Sequence, residues 1–368
     1  MLALMLAAAT IIAADCDIEK PTGAPGCTRA AVDALPMNAL QAVGTHNSYK
    51  IAIAPNELAA IRAVNAREAD QLDYGHRPLK DQLDGGARQL ELDLAYDPPG
   101  GGAQGGLYAT PLGYRMAGAK AQPYDFGPLK QPGLKVLHVP DIDYRSVCPL
   151  FTGCLADIRA WSLAHPDHVP LLILLNLKEG GLKWPGAAQA PVFDAAALDL
   201  IDAEIRSVFP EAALITPDKV QGRHPTLREA VVANAWPKLA EARGKVMFAC
   251  DCEPAQVARY RGDRRSLEGR VAFVNVEETS PAAAYITLNE PLEQTDRIRA
   301  AVKAGIIVRT RADADTWEAR RGDRARQAAA FASGAQYVST DYMVPDPRLG
   351  AYDVRLPGGG AARPNPVR

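Results

Sequence analysis

Hydrophobic positions along the chain fall into short runs that alternate with stretches of helical spacing. Eight runs have strand length: 39–45 (ALQAVGT), 88–95 (RQLELDLA), 135–139 (KVLHV), 171–177 (LLILLNL), 245–249 (KVMFA), 271–275 (VAFVN), 305–309 (GIIVR) and 336–340 (QYVST). Apolar residues at helical intervals occupy 155–164, 193–208, 226–242, 292–303 and 315–332. Leucine-rich or β-branched runs between helices suit strands of a parallel sheet covered on both faces. Eight such strands predict an α/β architecture, a (β/α)8 TIM-type barrel. A doubly wound open sheet would call for a G-x-G-x-x-G or Walker sequence after a strand, and the chain has neither. One stretch, 97–133, begins DPPGGGAQGG and breaks the alternation. It reads as a long Gly/Pro-rich surface insert after the second strand. Residues 30–350 therefore read as a single barrel domain, and 351–368, ending PGGGAARPNPVR, as a disordered tail.

Composition narrows the function. The 368 residues carry 41 Lys and Arg against 43 Asp and Glu, a net charge of −2. No basic excess drives binding to nucleic acid. A content of 48% hydrophobic and 23% charged residues fits a soluble globular chain and excludes a disordered or polytopic one. The apolar run at 2–13 (LALMLAAATIIA) falls short of the roughly 20 residues a bilayer span needs. It suits the core of a signal peptide over 1–14, cut after Ala14, and so an exported protein, periplasmic or secreted. Six cysteines form three sequence-local pairs. Cys16 with Cys27 and Cys148 with Cys154 are expected as disulfides; Cys250 and Cys252 are either a strained bridge or two thiols. The absence of a C-x-x-C pair argues against a cysteine zinc site.

In a parallel barrel, chemistry sits where strands end at the C-terminal mouth. The first strand ends in Thr45-His46-Asn47-Ser48-Tyr49, and the second carries Glu91 and Asp93. The third carries His138, with Asp141 and Asp143 behind it. The fourth ends in Asn176-Leu177-Lys178-Glu179, the seventh in Arg309-Thr310-Arg311-Ala312-Asp313, the eighth in Thr340-Asp341-Tyr342. Glu91 and Asp93 share one strand face, with Leu90, Leu92 and Leu94 on the other. Two carboxylates side by side repel unless a cation lies between them. Calcium prefers oxygen ligands, and Asn47 and Asn176 could add amide oxygens. His46 and His138 make a base and acid pair for one reacting phosphorus. Arg309 and Arg311 suit a phosphate, although an Arg311–Asp313 salt bridge explains them equally well. Lys178 suits a phosphate oxygen or a pairing with Glu91 or Asp93. His76, His165, His168 and His224 read as structural or exposed. Ser48 lacks the G-x-S-x-G elbow of a serine hydrolase.

The run GTHNSY, then ELD on the next strand, then a histidine on the third, resembles the phosphatidylinositol-specific phospholipase C-like phosphodiesterases. GIIVRTRADADT and GAQYVSTDY add to the likeness, which is strongest to the bacterial calcium-dependent phosphoinositide phospholipases C and runs from Ala39 to Tyr342. The resemblance implies a distorted barrel that cleaves phosphoinositide-type phospholipids. It implies His46 and His138 as the catalytic histidines and Asn47, Glu91 and Asp93 as ligands of Ca2+. Asn176 stands where the family commonly has glutamate. That removes a negative charge, which Glu179 could restore, and leaves the identity of the divalent cation open. Lys178, Arg309, Arg311 and Asp341 resemble substrate-side positions. The partners implied are a phospholipid or other phosphodiester and a transient membrane surface, without nucleic acid. The alternatives are a glycerophosphodiester or sphingolipid phosphodiesterase, or an inactive secreted barrel that binds a lipid or sugar phosphate.

Overall fold

The leucine run of the fourth predicted strand forms a strand buried on both faces, as its composition requires. The computed structural model describes residues 12–98 and 106–368. Its strands are β1 (Leu40–Thr45), β2 (Gln89–Ala95), β3 (Lys135–Val136), β4 (Leu171–Lys178), β5 (Leu214–Ile215) and β6 (Val246–Cys250). They continue with β7 (Ala272–Val274), β8 (Tyr285–Thr287), β9 (Ile307–Arg311), β10 (Tyr337–Thr340) and β11 (Ala362–Pro364). A parallel sheet curls in the order β8–β9–β10–β1–β2–β4–β6–β7. Its two ends meet at one bridge, Asn275 with Tyr285. Strand β5 lies beside the start of β6.

β1 and β2 approach closely because residue 44 is glycine. A Cβ there would fall 2.4 Å from the Cβ of Gln89 and 2.6 Å from its carbonyl oxygen. Outward residues such as Leu90, Leu92 and Leu94 join the main core with Phe151, Leu155, Ile158 and Trp161 of the helix Phe151–Ala164.

Two strand assignments differ from the sequence reading. The run at 135–139 supplies only β3, which pairs antiparallel to β2 and is no stave of the ring. The missing stave is β8, three residues long and bordered by an alanine run that carries no periodicity. The helix expected over 226–242 is two, Leu227–Val232 and Leu239–Ala242. Asn234, in a left-handed conformation at φ 60°, and Pro237 separate them. Likewise 315–332 splits into Trp317–Arg321 and Ala325–Ser333 around Gly322, at φ 63°. The tail is ordered rather than loose. β11 pairs with β1, and the Asn365 side chain donates to the carbonyls of Leu40 and Gly334.

Of the expected signal peptide, residues 1–11 lie outside the described residues; Ile12 and Ala13 pack on the core. Cys16–Cys27 and Cys148–Cys154 are bonded as expected, and Cys250 is joined to Cys252. In the insert, 99–105 lie outside the described residues. Its remainder buries Tyr108 and Leu129, and Asp141 accepts from the amides of Leu112 and Ala188. That clamps the insert and the loop after β4 to the turn that carries His138.

Candidate active site

Register decides which side chains share the barrel mouth. On β2, Glu91 and Asp93 alternate with outward leucines, and Asp93 pairs across to Asn176 on β4. On β9, Arg309 and Arg311 pair with Tyr337 and Ser339 of β10. The backbone amide of His46 continues the β1–β10 ladder to the carbonyl of Thr340. Asn47 then turns the chain at φ 48°, a left-handed conformation that asparagine tolerates better than most residues. Ser48 is fully buried and ties this turn to β2. Its hydroxyl accepts from the Glu91 amide at 2.8 Å and lies 2.6 Å from the hydroxyl of Thr45, so it serves as a staple.

Both histidines carry a carboxylate on Nδ1. His46 Nδ1 is 2.8 Å from Asp341 Oδ1, and His138 Nδ1 is 2.8 Å from Asp143 Oδ2. Carboxylates only accept, so each ring carries its proton on Nδ1 and leaves Nε2 free. Burial pushes the His46 imidazole well below its ordinary range, and the Arg311 and Arg309 charges press the same way. His46 is therefore the neutral, proton-accepting form at neutral pH. Burial raises the Asp143 carboxyl, but the Lys50 ammonium at 3.2 Å and the bond from His138 outweigh it and hold it low.

Lys50 and Tyr74 join the two pairs. The buried Lys50 ammonium donates to the carbonyls of Leu72 and Tyr74 and lies over the Tyr74 ring. The Tyr74 hydroxyl accepts from Asn47 Nδ2 at 2.8 Å and sits 3.3 Å from His46 Nδ1. His76 donates through Nε2 to the carbonyl of His46 at 2.7 Å, which gives it a place beside the site.

The expected cation ligands lie together in part. Glu91 Oε2 accepts from Arg309 at 2.6 Å, while Oε1 is 3.8 Å from His46 Nε2. Burial pushes the Glu91 carboxyl up to about 7, with Arg309 opposing and Asp93 adding to the rise. Lys178 Nζ is 2.8 Å from Asp93 Oδ2, the pairing the sequence allowed. Burial lowers the Lys178 ammonium, but Asp93, Glu91 and Asp251 together raise it overall. Asn47 Oδ1 and Asp93 Oδ1 are buried without a hydrogen-bond donor. These are hard oxygen acceptors facing the mouth, and they suit calcium. Among the described residues no three His, Cys, Asp or Glu side chains converge closely enough to hold a metal by themselves, so amide oxygens must share the task. Glu179 does not restore the missing charge: it accepts from Arg259 and from the Phe193 amide.

The substrate-side residues divide. Lys178 is about a quarter exposed at the rim. Arg309 is 1% exposed and committed to Glu91 and Asn289. Arg311 pairs with Asp341 at 3.0 Å, in place of the Asp313 bridge weighed from sequence. Asp313 instead accepts from the Asp341 amide and the Thr340 hydroxyl, and burial pushes it up to about 7. Sequence reasoning missed Lys50 and Tyr74, whose roles depend on pairings across the fold.

The parallel barrel thus carries two histidine–carboxylate pairs together with buried carboxylate and amide oxygens at the ends of its strands. The chain belongs to the family described as phosphoinositide phospholipase C, Ca2+-dependent, which matches residues 35–366. It is thus a phosphoric diester hydrolase of the phospholipase C type. A calcium-dependent phosphoinositol-specific phospholipase C from a Gram-negative bacterium, Pseudomonas sp, in an apo-form myoinositol complex, superposes with a TM-score of 0.54 at 17% identity. The match covers 90% of this chain and 96% of that one. A second crystal form of that enzyme gives 0.55 at 17%, over 97% and 98%. A Ca2+-dependent phosphatidylinositol-specific phospholipase C from Streptomyces antibioticus gives 0.55 at 19%, over 90% and 99%. These likenesses bear on the fold. No curated protein matches the chain.

Proposed function

We propose that this protein cleaves phosphoinositide-type phospholipids on the glycerol side of the phosphate, with His46 as base and His138 as acid. The observation that carries this reading is the pair of histidines, each held on Nδ1 by its own carboxylate at 2.8 Å. Nε2 of the neutral His46 takes a proton from the inositol hydroxyl beside the phosphate. That oxygen bonds to phosphorus as the bond to the glycerol oxygen breaks. His138 acts as the imidazolium, with one proton on Nδ1 toward Asp143 and a second on Nε2 that it gives to the departing oxygen, so charge balances and the head group leaves as a cyclic phosphate. Asn47, Glu91, Asp93 and Asn176 would hold Ca2+, which supplies positive charge for the phosphate oxygens when bound. Lys178 holds a phosphate oxygen from the rim. Arg309 and Asp341 act through Glu91 and His46, as positioning residues.

An apolar cleft lined by Ile61, Met116, Ile142 and Trp184 supports a lipid substrate and transient contact with a membrane over a soluble glycerophosphodiester. Ile142 adjoins Asp143, the carboxylate behind the proposed acid. No helix among the described residues is long and apolar enough to cross a membrane. The three cysteine bonds support an exported protein in an oxidising compartment.

Turnover of a phosphoinositide panel tests the proposal, with Ca2+, with chelator, and with Mg2+ or Zn2+ substituted. Diacylglycerol released only with Ca2+ is the expected result. Free glycerol phosphate, or tight lipid binding without turnover in millimolar Ca2+, would contradict it.

A further inference from the structure

Lys50 is a buried charge that no step of the proposed reaction uses. It lies in the loop after β1, whose backbone pairs with the segment that follows Asp143. The amide of Ile51 donates to the carbonyl of Arg145 at 3.0 Å, and that of Val147 to the carbonyl of Tyr49 at 2.8 Å. This pairing sets Lys50 beside Asp143, and the lysine is fully buried. Its ammonium donates to the carbonyls of Leu72 at 3.0 Å and Tyr74 at 2.7 Å, and it lies 3.2 Å from Asp143 Oδ1. An ammonium has three N–H donors, so these three oxygens occupy it and leave none for a substrate.

Asp143 is equally committed. Its Oδ2 meets His138 Nδ1 at 2.8 Å and its Oδ1 faces Lys50; among the described residues it has no other ion-pair partner. The residue is 1% exposed, so water does little to screen its charge. The two cations differ in permanence. His138 gives up its charge when it protonates the departing oxygen, whereas Lys50 takes no part in the transfer and keeps its own. Without Lys50, that transfer would leave a buried carboxylate with no counter-charge, which is costly. The imidazolium would then release its proton less readily. Stability alone does not account for the ammonium, because apolar replacements of a buried ion pair are often neutral or favourable.

We propose that Lys50 is a positioning residue for the acid: from behind Asp143 it balances the carboxylate as His138 loses its proton. The inference rests on the assignment of His138 as the acid, and it adds a residue that acts through Asp143 rather than on the substrate. The same ammonium lies over the ring of Tyr74, whose hydroxyl is 3.3 Å from His46 Nδ1. A route to the base is therefore the competing assignment, and the choice of substrate separates the two.

The test compares Lys50→Met, which removes the charge and keeps most of the side chain, with the parent and with His138→Ala. The substrates are phosphatidylinositol and an inositol phosphodiester whose nitrophenol group leaves without protonation. Lys50→Met should lose about 10–100-fold in kcat on the lipid, a part of the roughly 10²–10⁴ that general acid catalysis contributes. On the activated ester it should recover most of its rate, and added to His138→Ala it should cost nothing further on the lipid. A damaged fold would slow both substrates alike. If His138→Ala recovers on the activated ester and Lys50→Met does not, the assignment of Lys50 to the acid is overturned and that of His138 stands. An unchanged lipid rate in Lys50→Met overturns it as well. If His138→Ala loses equally on both substrates, the reading of His138 falls and this inference with it. Should Lys50→Met not fold, Lys50→Met/Asp143→Asn removes both charges together. A lipid rate equal to that of Asp143→Asn then supports the proposal, and a lower one overturns it.

Discussion

Asp341 touches both His46 and Arg311, with Oδ1 2.8 Å from the imidazole Nδ1 and Oδ2 3.0 Å from the guanidinium. One carboxylate therefore fixes the tautomer of the His46 imidazole and anchors a guanidinium whose charge disfavours its protonation. Asp341→Asn preserves the shape but can donate to Nδ1, which favours the wrong tautomer. A fall in kcat of about 10²–10⁴ is expected, with KM little changed and the circular dichroism spectrum intact. A kcat within a few-fold of the parent would refute the pairing as functional.

The pH profile follows from the same cluster. Burial, with Arg311 and Arg309, depresses the His46 imidazole below its ordinary value near 6.5. The neutral, working form therefore persists into mild acid, and activity falls only as pH drops through the depressed value. The acid limb of kcat/KM should lie below about 6.5. Arg311→Gln removes a charge that disfavours imidazolium, so its limb should move up. A limb that stays in place in Arg311→Gln would contradict the assignment.

The Cys148–Cys154 bond closes a short loop just after the segment that anchors His138 through Asp143. Replacing both cysteines with serine should cost about 2 kcal/mol, the loop-entropy value for so short a ring. Urea unfolding measures this directly. An unchanged midpoint and slope would show that the bond contributes nothing to stability.

Gly44→Ala forces a methyl group to within 2.4 Å of the Gln89 side chain at the only registered β1–β2 pair. Relief requires the strands beneath His46 and Glu91 to part. Destabilisation of about 3 kcal/mol or more is expected, together with a loss of activity. Thermal unfolding and steady-state rates report the two effects separately.

Much of this arrangement was legible in the chain. Seven of the eight staves in the ring follow from apolar runs, because a strand buried on two faces must be apolar throughout. The turn at His46–Asn47 and the alternation of Glu91 and Asp93 also show in sequence, since both are local. β8 did not show, because three residues carry too little periodicity to separate from the alanines before them. His138 was assigned to a strand end and instead follows the hairpin strand β3, yet it still reaches the mouth. The tail was misjudged because its glycines mask a short strand that gains its order by pairing with β1. What stayed hidden was pairing at long range. Arg309 with Glu91 and Asp341 with His46 are separated by 218 and 295 residues, and only register around the ring brings them together.

The division of labour between the histidines has one direct test. His46→Ala and His138→Ala are compared on phosphatidylinositol and on an inositol phosphodiester with a nitrophenol leaving group, which departs without protonation. Both variants should lose about 10²–10⁴ in rate on the lipid. On the activated ester His138→Ala should recover most of its rate, while His46→Ala should not. Equal losses on the two substrates, or recovery by His46→Ala instead, would contradict the account.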